Sequence, residues 1–222
     1  MQVIENSKFT NVFYIDKDIC TPNLRPGISV YGERLVVIND IEYRFWNPWR
    51  SKLAALILKG CKFLPIEKNS NILYLGAGNG TTASHISDMV IGGKVYCIEF
   101  APRAFRDLLK LARDRRNIFP ILENAFYPEK YKTLVGSVDI VYQDLSQREQ
   151  PQVFINNSRH FLKQGGYGVF MVKAKSIDMA EDPEKIYSAV IGELKMAGFK
   201  IIDEINLSPY SKDHLALVVQ AR

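Results

Sequence analysis

The pattern of apolar and polar positions divides the chain near residue 50. Before that point, short runs rich in β-branched and aromatic residues are separated by turn-forming sequences such as Pro26-Gly27 and Asn39-Asp40. This pattern is typical of small hairpins. We therefore predict a small β-rich N-terminal domain over residues 1–50, with strands at Asn11–Ile15, Ile28–Tyr31 and Leu35–Ile38.

Between residues 51 and 222, stretches typical of strands alternate with stretches typical of helices. The predicted strands are Ile72–Leu75, Lys94–Glu99, Val138–Gln143, Gly168–Lys173, Ile201–Leu207 and His214–Gln220. The predicted helices are Ser51–Lys62, His85–Met89, Pro102–Arg113, Pro151–Leu162 and Pro183–Ala197. This alternation predicts a second domain built on a doubly wound α/β sheet. Because only a short loop around Pro209 separates the last two strands, that pair should be antiparallel.

Composition narrows the class of protein only modestly. Apolar residues make up 47% of the 222 residues, which is enough to form a hydrophobic core. Lys and Arg number 29 and Asp and Glu number 24, which gives a net charge of +5. This charge permits a polyanionic partner such as RNA but does not by itself indicate one.

Cysteine spacing and the lack of long apolar stretches favour a soluble protein of the cytoplasm. Cys20, Cys61 and Cys97 fit neither a disulfide framework nor a zinc-ligand spacing, so we expect free thiols and no metal site. Met1–Phe9 lacks the apolar core of a signal peptide. Leu53–Leu58 is too short to cross a bilayer, so no membrane partner is expected.

A glycine-rich sequence, Gly76-Ala77-Gly78-Asn79-Gly80, follows the first strand of the predicted α/β sheet. In such sheets this turn faces the ligand, because glycine lets the backbone approach it closely. The G-x-G-x-G spacing departs from the usual dinucleotide pattern and favours an adenosyl cofactor without a pyrophosphate. A purely structural turn is the alternative for Gly76 and Gly78.

Glu99 ends the next strand, about 20 residues after the glycines, where a carboxylate can accept hydrogen bonds from both ribose hydroxyls of a nucleoside. The alternative is that Glu99 only caps the helix that follows. A nicotinamide-dependent dehydrogenase would share the glycine turn and Glu99, but no residues suited to hydride transfer follow them.

Asp144 and Lys173 each follow or end a predicted strand, so they should lie near one another at the carboxyl edge of the sheet. Clustered cations lower the pKa of a lysine amine towards that of a usable base. A lysine and a carboxylate together can orient a hydroxyl, remove its proton and stabilise the developing oxyanion. These are the requirements of methyl transfer to a ribose hydroxyl.

Several longer motifs then point to one family. They are Asn47-Pro48-Trp49-Arg50-Ser51-Lys52-Leu53-Ala54-Ala55, Gly80-Thr81-Thr82-Ala83-Ser84-His85-Ile86-Ser87-Asp88, Tyr142-Gln143-Asp144-Leu145-Ser146-Gln147, Lys173-Ala174-Lys175-Ser176-Ile177-Asp178 and Lys212-Asp213-His214. In sequence and order they resemble the archaeal fibrillarin family over nearly the whole chain. The resemblance implies a Rossmann-like S-adenosylmethionine-dependent methyltransferase sheet with an antiparallel terminal strand, preceded by a small β domain.

The resemblance also implies the site residues. The catalytic set would be Lys52, Asp144, Lys173 and His214. Lys173 would remove the proton of the ribose 2′-hydroxyl, while Lys52 and Asp144 would tune the charge of Lys173 and orient the substrate. His214 would assist in positioning. The S-adenosylmethionine contacts would be Gly76, Gly78, Thr81, Thr82, Glu99, Phe100, Asn124, Ala125, Asp144, Leu145, Ser146 and Gln147, with Phe100 suited to stacking on the adenine.

Two positions need a separate comment. The family commonly has Asp where this chain has Asn124, and the amide oxygen of Asn can also accept from the adenine amino group. Lys175 would lie on the same side of the strand as Lys173 if the strand extended that far. Lys173 is preferred because the motif that begins with it, Lys-Ala-Lys-Ser-Ile-Asp, matches the family when its first lysine is aligned.

The family resemblance implies an RNA-guided 2′-O-methyltransferase for rRNA and tRNA within a box C/D ribonucleoprotein. Its partners would be the guide RNA, the target RNA, a scaffold protein and a kink-turn-binding protein of ribosomal type. Three alternatives stay open: a base methyltransferase, a nicotinamide enzyme, and a non-catalytic assembly subunit of the same particle. The retention of four ionisable residues at the expected positions argues against the last.

Overall fold

A computed structural model describes residues 4–222; residues 1–3, at the start of the Met1–Phe9 segment discussed above, lie outside the described part. The N-terminal region forms an antiparallel five-stranded sheet in the order β1-β2-β3-β5-β4. Asn39 and Asp40 have positive φ angles, as the two-residue turn between β4 and β5 requires. The strands are β1 (Ile4–Asn6), β2 (Phe13–Ile15), β3 (Asp18–Pro22), β4 (Leu35–Ile38) and β5 (Ile41–Phe45).

The remainder of the chain is built on a seven-stranded sheet in the order β11-β12-β10-β9-β6-β7-β8. Its strands are β6 (Asn71–Leu75), β7 (Lys94–Glu99), β8 (Ile118–Leu122), β9 (Val138–Gln143), β10 (Leu162–Lys173), β11 (Phe199–Asn206) and β12 (His214–Ala221). Strand β12 is antiparallel to both of its neighbours, whereas β6 to β10 are mutually parallel. The fold class predicted from the sequence, including the antiparallel terminal pair, is confirmed.

Helices cover both faces of this sheet because successive strand side chains point to opposite sides. On β6, Ile72 and Tyr74 pack in the hydrophobic cluster that includes α1 to α3, whereas Leu73 and Leu75 pack in the cluster that includes α4 and α6. The helices are α1 (Lys52–Leu58), α2 (Thr81–Met89), α3 (Pro102–Asp114), α4 (Gln150–Phe161), α5 (Ala174–Ile177) and α6 (Pro183–Met196), with a short 3₁₀ turn at Pro128–Lys130.

The N-terminal sheet shares a core with the larger one. Ile19 and Trp46 lie in the same apolar cluster as Leu53, Ala83 and Ile86, so the two sheets bury side chains against each other. The division into domains 1–50 and 51–222 stays a prediction, because a shared core does not fix a boundary.

Two predicted elements need correction in the N-terminal half. The segment Ile28–Tyr31 is a loop rather than a strand, because the Glu33 carboxylate accepts from the backbone N–H groups of Val30 and Tyr31, at 2.8–3.1 Å. The first helix was predicted to reach Lys62 but ends at Leu58. Gly60 follows with a φ of +89°, a conformation that terminates helices.

The sequence interpretation missed β8 in the larger sheet. Pro120 lies in the middle of that strand, where the lost N–H argues against a strand assignment. The proline is tolerated because β8 is the edge strand and pairs only with β7. The three cysteines are buried and free, as predicted. Within residues 4–222, no helix combines the length and apolar character needed to cross a membrane.

Candidate active site

The glycine turn after β6 is shaped by its neighbours at the carboxyl edge of the sheet. Gly76 has a φ of +82°, and a Cβ atom there would lie 2.6 Å from the backbone oxygen of Asp144. Only glycine therefore allows the turn to pack against the loop that follows β9. Gly78 has a φ of +58° with open space beside its Cα. That side of the turn is free for a ligand.

Glu99 holds the glycine turn and the start of α3 together. One carboxylate oxygen accepts from the N–H of Gly78 and the other from the N–H of Ala101, both at 2.8 Å. The capping contact considered for Glu99 is thus present, and its second contact joins it to the glycine turn. Phe100, the next residue in sequence, is 57% exposed. Their predicted roles with ribose and adenine stay predictions.

The first turn of α2 is connected to the start of α1. Thr82 donates its hydroxyl hydrogen to Ser51 Oγ at 2.9 Å, and Ser51 caps α1 by accepting from Ala54 N–H. Thr81 Oγ1 contacts Asn79 Oδ1 at 3.5 Å. The glycine turn and Lys52 therefore belong to one hydrogen-bonded unit.

The loop after β8 meets the loop after β9. Asn124 accepts from Phe126 N–H at 2.9 Å and contacts Gln147 Nε2 at 3.5 Å, while Leu145 is buried. Among the described residues, the buried amide oxygen of Gln147 has no hydrogen-bond partner. Asn124, Ala125, Leu145, Ser146 and Gln147 thus lie on two adjoining loops at the carboxyl edge, as a shared ligand site requires.

Lys52 and Asp144 form an ion pair across 92 positions of sequence. Lys52 Nζ lies 2.7 and 3.0 Å from the two carboxylate oxygens. The two side chains are 24% and 18% exposed, so the pair is accessible from outside. Asp144 is fixed by its own backbone N–H, which donates to the carbonyl of Leu75 beside the glycine turn.

Lys173 ends β10 and is held by the side chain of Gln150. The Gln150 amide accepts from Lys173 N–H at 3.0 Å and donates to the Lys173 carbonyl at 3.1 Å. The Lys173 amine donates to Ser146 Oγ at 3.2 Å. Within the described chain it forms no ion pair. Lys173 is thus a positioned amine with donor capacity left for a ligand.

Lys175 is excluded from this arrangement. The strand ends at Lys173, and α5 begins at Ala174, which turns the following side chains away. The Lys175 amine donates to the carbonyls of Met179 and Glu181, both at 3.1 Å, in the loop before α6.

His214 is the cross-strand partner of Lys173 in the β10–β12 ladder. Its Nδ1 lies 2.6 Å from the carbonyl oxygen of Lys212, so Nδ1 carries the hydrogen and Nε2 a lone pair. Burial lowers the pKa of His214, although the Lys212 carbonyl raises it; Lys52 and Lys173 also lower it and Asp144 raises it. The four predicted catalytic residues therefore lie close enough to act on one another electrostatically.

Sequence similarity over nearly the whole chain decides the family to which it belongs. The fibrillarin family model matches residues 3–222. The chain belongs to the fibrillarin family. It is 49% identical over 226 aligned positions to the fibrillarin-like rRNA/tRNA 2′-O-methyltransferase of Sulfolobus acidocaldarius, covering 99% of this chain and 98% of the relative.

Solved fibrillarin structures agree with the fold. Aeropyrum pernix fibrillarin in complex with natively bound S-adenosyl-L-methionine is 44% identical, with a TM-score of 0.92, and the match covers 99% of each chain. A fibrillarin/Nop5p complex matches with a TM-score of 0.90 and 40% identity, over 98% of this chain and 100% of the other.

The fibrillarin site of this chain has features that fit an adenosyl-sulfonium ligand. The glycine turn is open at Gly78, the residue that follows Glu99 is an exposed phenylalanine, and the buried Gln147 oxygen lacks a donor in the described structure. The chemistry of these groups suits an adenine, a ribose and a cationic ligand.

Two positioning residues of this fibrillarin site were missed from the sequence. Gln150 clamps the backbone of Lys173, and its own carbonyl accepts from the Gln143 amide at 2.8 Å. Gln150 begins a helix and follows four polar residues, Ser146 to Glu149, so nothing local marks it as buried. Ser51 lies within one of the family motifs without an assigned role, although its place one residue before α1 is a recognisable cap position.

Proposed function

We propose that this chain transfers a methyl group from S-adenosylmethionine to the 2′-hydroxyl of a ribose in rRNA and tRNA. The observation that carries the proposal is the meeting of Lys52, Asp144, Lys173 and His214 beside the glycine turn. The names of the relatives support the reaction and the cofactor.

The proposed cofactor-binding residues surround the glycine turn. Gly76 and Gly78 give the backbone its close approach, Glu99 binds the ribose hydroxyls, Phe100 stacks on adenine, and Asn124 accepts from the adenine amino group. Thr81, Thr82, Ala125, Asp144, Leu145, Ser146 and Gln147 complete the contacts. When bound, S-adenosylmethionine supplies an electrophilic methyl group on a sulfonium.

The proton of the target hydroxyl passes to the amine of Lys173 in this proposal. Lys173 is the better acceptor because the Lys52 ammonium is already bound by both oxygens of Asp144. The Lys52–Asp144 pair orients the hydroxyl and stabilises the oxyanion as it develops. His214 is buried as the cross-strand partner of Lys173, and it assists in positioning the catalytic groups.

The proposed setting is a box C/D ribonucleoprotein of the cytoplasm. A guide RNA pairs with the target, and a scaffold protein docks this chain beside a kink-turn-binding protein. The similarity of this chain to the fibrillarin of a fibrillarin/Nop5p complex supports the scaffold partner. The net charge of +5 agrees with an RNA substrate.

A substrate series tests the reaction. The protein, guide RNA, both partner proteins and labelled S-adenosylmethionine are incubated with a target RNA, and the labelled nucleotide is mapped. A matched target carries 2′-deoxyribose at that single nucleotide. Label at one guided ribose, lost with the deoxy target, is expected. Label retained on the deoxy target contradicts ribose methylation and indicates a base methyltransferase; no label in an assembled particle indicates a non-catalytic subunit.

A further inference from the structure

A cleft of about 580 Å³ lies between the N-terminal sheet and the residues that precede α1. Its lining includes Trp49, Arg50, Arg34 and Tyr210, none of which belongs to the site described above. A cleft of this size accommodates a group as large as a nucleotide.

Trp49 gives the cleft an open aromatic surface. Its side chain is 64% exposed, and its ring meets Tyr210 edge-on at 5.2 Å between centroids, with an interplanar angle of 72°. The Trp49 backbone is fixed, because its N–H donates to Asn47 Oδ1 at 2.9 Å. A T-shaped contact with one ring covers at most one face of the indole, and with 64% of the side chain exposed the other face is available to a flat ligand.

The exposed charges of the cleft are mainly positive. Arg34 stacks over Phe45 at 3.6 Å and Arg50 lies over Tyr31 at 5.5 Å, and neither forms an ion pair within residues 4–222. Lys17 is also exposed. The lining has two carboxylates, Asp18 and Glu33, and Glu33 is neutralised by its buried contact with Arg44. Three exposed cations against one exposed carboxylate favour a polyanion.

Trp49 and Tyr210 each lie a few residues before a proposed catalytic residue in the sequence. Trp49 precedes Lys52 by three residues, which limits their Cα separation to about 11 Å. Tyr210 precedes His214 by four residues, and the turn between them is closed by a hydrogen bond from Leu207 N–H to the His214 carbonyl, at 3.0 Å. A ligand on Trp49 therefore lies within a few nucleotides of the target ribose.

We propose that this cleft binds an unpaired nucleotide of the RNA near the modified ribose. Its base stacks on Trp49, and Arg34 and Arg50 contact the adjoining phosphates. Stacking tolerates every base, because each presents a flat π-face, so the site adds affinity without sequence preference. The inference rests on the proposed RNA substrate, and guide and target strands are both sources of such a nucleotide. The excess of positive charge favours RNA over a protein surface as the occupant.

Tryptophan fluorescence tests the site directly. The chain has two tryptophans, and Trp46 is only 2% exposed, so Trp49 dominates the response to added ligand. The full chain is titrated with a single-stranded RNA of about ten nucleotides, and in parallel with the same RNA annealed to its complement. Quenching by the single strand is expected, with little response to the duplex. Trp49→Phe should abolish the quenching while retaining RNA binding, because phenylalanine still stacks.

Binding of a labelled RNA provides the second measurement. Trp49→Ala should weaken single-strand binding by roughly 5- to 150-fold, the range for loss of one stacked base. Arg50→Gln should reduce the slope of log affinity against log salt concentration by about 1, the value for one phosphate contact. Arg159→Gln, which changes an exposed arginine on α4, is the matched control and should change neither the affinity nor this slope.

Unchanged fluorescence with saturating RNA, or equal RNA affinity of Trp49→Ala and wild type, overturns the proposal. A fluorescence change that requires the scaffold protein rather than RNA also overturns it and assigns the cleft to a protein partner. Methyl transfer is a separate readout: stacking on Trp49 without any transfer in the assembled particle contradicts the proposed function alone.

Discussion

Two clusters of charged side chains in this molecule have opposite surroundings. The closed cluster, Arg44, Arg115, Glu33 and Asp88, lies between the N-terminal sheet and α2, and its side chains are no more than 1% exposed. The open cluster, Lys52, Asp144, Lys173 and His214, lies at the strand ends beside the glycine turn.

The clusters differ most in how completely their hydrogen bonds are satisfied. Each oxygen of Asp88 accepts from two donors, namely Thr21 and Arg44 on one side and the N–H of Leu24 and Arg115 on the other. In the open cluster, Nε2 of His214 has no partner among the described residues. Ion pairing alone therefore does not mark a functional site; a partly exposed ion pair beside unused hydrogen-bonding capacity does.

Removing the central charge of the closed cluster should have the largest effect on stability. Asp88→Asn leaves the buried guanidinium of Arg115 without a carboxylate partner and leaves Arg44 with Glu33 alone, so the free energy of unfolding should fall by about 3–5 kcal/mol. Urea denaturation measures this loss. Asp107→Asn, which breaks the exposed pair with Lys110, should cost less than about 1 kcal/mol. Equal losses in the two variants would remove the distinction between buried and exposed pairs.

The same substitution in the open cluster should affect catalysis more than stability. Asp144→Asn removes the carboxylate that binds Lys52, and the rate of methyl transfer should fall by about 100-fold. Its free energy of unfolding should change by only about 1 kcal/mol, since the pair is partly exposed. Single-turnover rates and urea denaturation of one preparation check both. A large loss of stability with an unchanged rate would give Asp144 a structural role.

Acidic pH should destabilise the protein through two buried histidines, His85 beside the closed cluster and His214 in the open cluster. Burial and the charges of Arg44 and Arg115 lower the pKa of His85 well below its usual value, and burial lowers that of His214. The unfolded chain gains these protons near pH 6.5 and the folded chain only at lower pH, so stability is lost as pH falls below about 6.5. Each group contributes up to about 1.4 kcal/mol per pH unit.

Unfolding measured at several pH values tests this dependence. His214→Gln should remove only the contribution of the open cluster and leave that of His85, which extends to lower pH. A stability that stays constant or rises between about pH 6.5 and pH 5 would contradict the assignment of two neutral buried histidines.

The connection between α1 and the glycine turn predicts the smallest effect. Ser51→Ala removes the cap of α1 and the acceptor of the Thr82 hydroxyl, which should cost about 1 kcal/mol in thermal or urea unfolding. Ser188→Ala on the exposed face of α6 is the control, and it should change stability by less than about 0.5 kcal/mol. Equal effects would show that the cap does not support the site.

Local sequence signals account for most of the larger sheet and for two members of the open cluster, Asp144 and Lys173, whereas Lys52 and His214 were implied by the family resemblance. Strands β7 and β9 have the predicted bounds, because each is a mostly apolar run that follows a glycine turn. Asp144 and Lys173 were recognisable because strand ends meet at one edge of a parallel sheet. Strand β8 was missed because Pro120 is compatible with a strand only at an edge, and edge position is a property of the assembled sheet.

The closed cluster could not be predicted, since its contacts join distant parts of the chain. Arg44 meets Asp88 across 44 positions and Arg115 meets Asn23 across 92. A single arginine in a strand or before a strand is most often exposed. The sequence therefore predicts exposed side chains for Arg44 and Arg115, which are buried. The two hydrogen bonds from Gln150 to the backbone of Lys173 could not be predicted either, because 23 positions separate the two residues.

The most direct test compares two lysines that are two residues apart. Lys173→Ala and Lys175→Ala are assembled into the particle, and the single-turnover rate of guided methylation is measured together with S-adenosylmethionine affinity. We expect a rate loss of about 100- to 10,000-fold for Lys173→Ala with cofactor affinity nearly unchanged, and a near wild-type rate for Lys175→Ala. A wild-type rate for Lys173→Ala, or equal losses in both variants, would contradict the claim that the open cluster performs the chemistry.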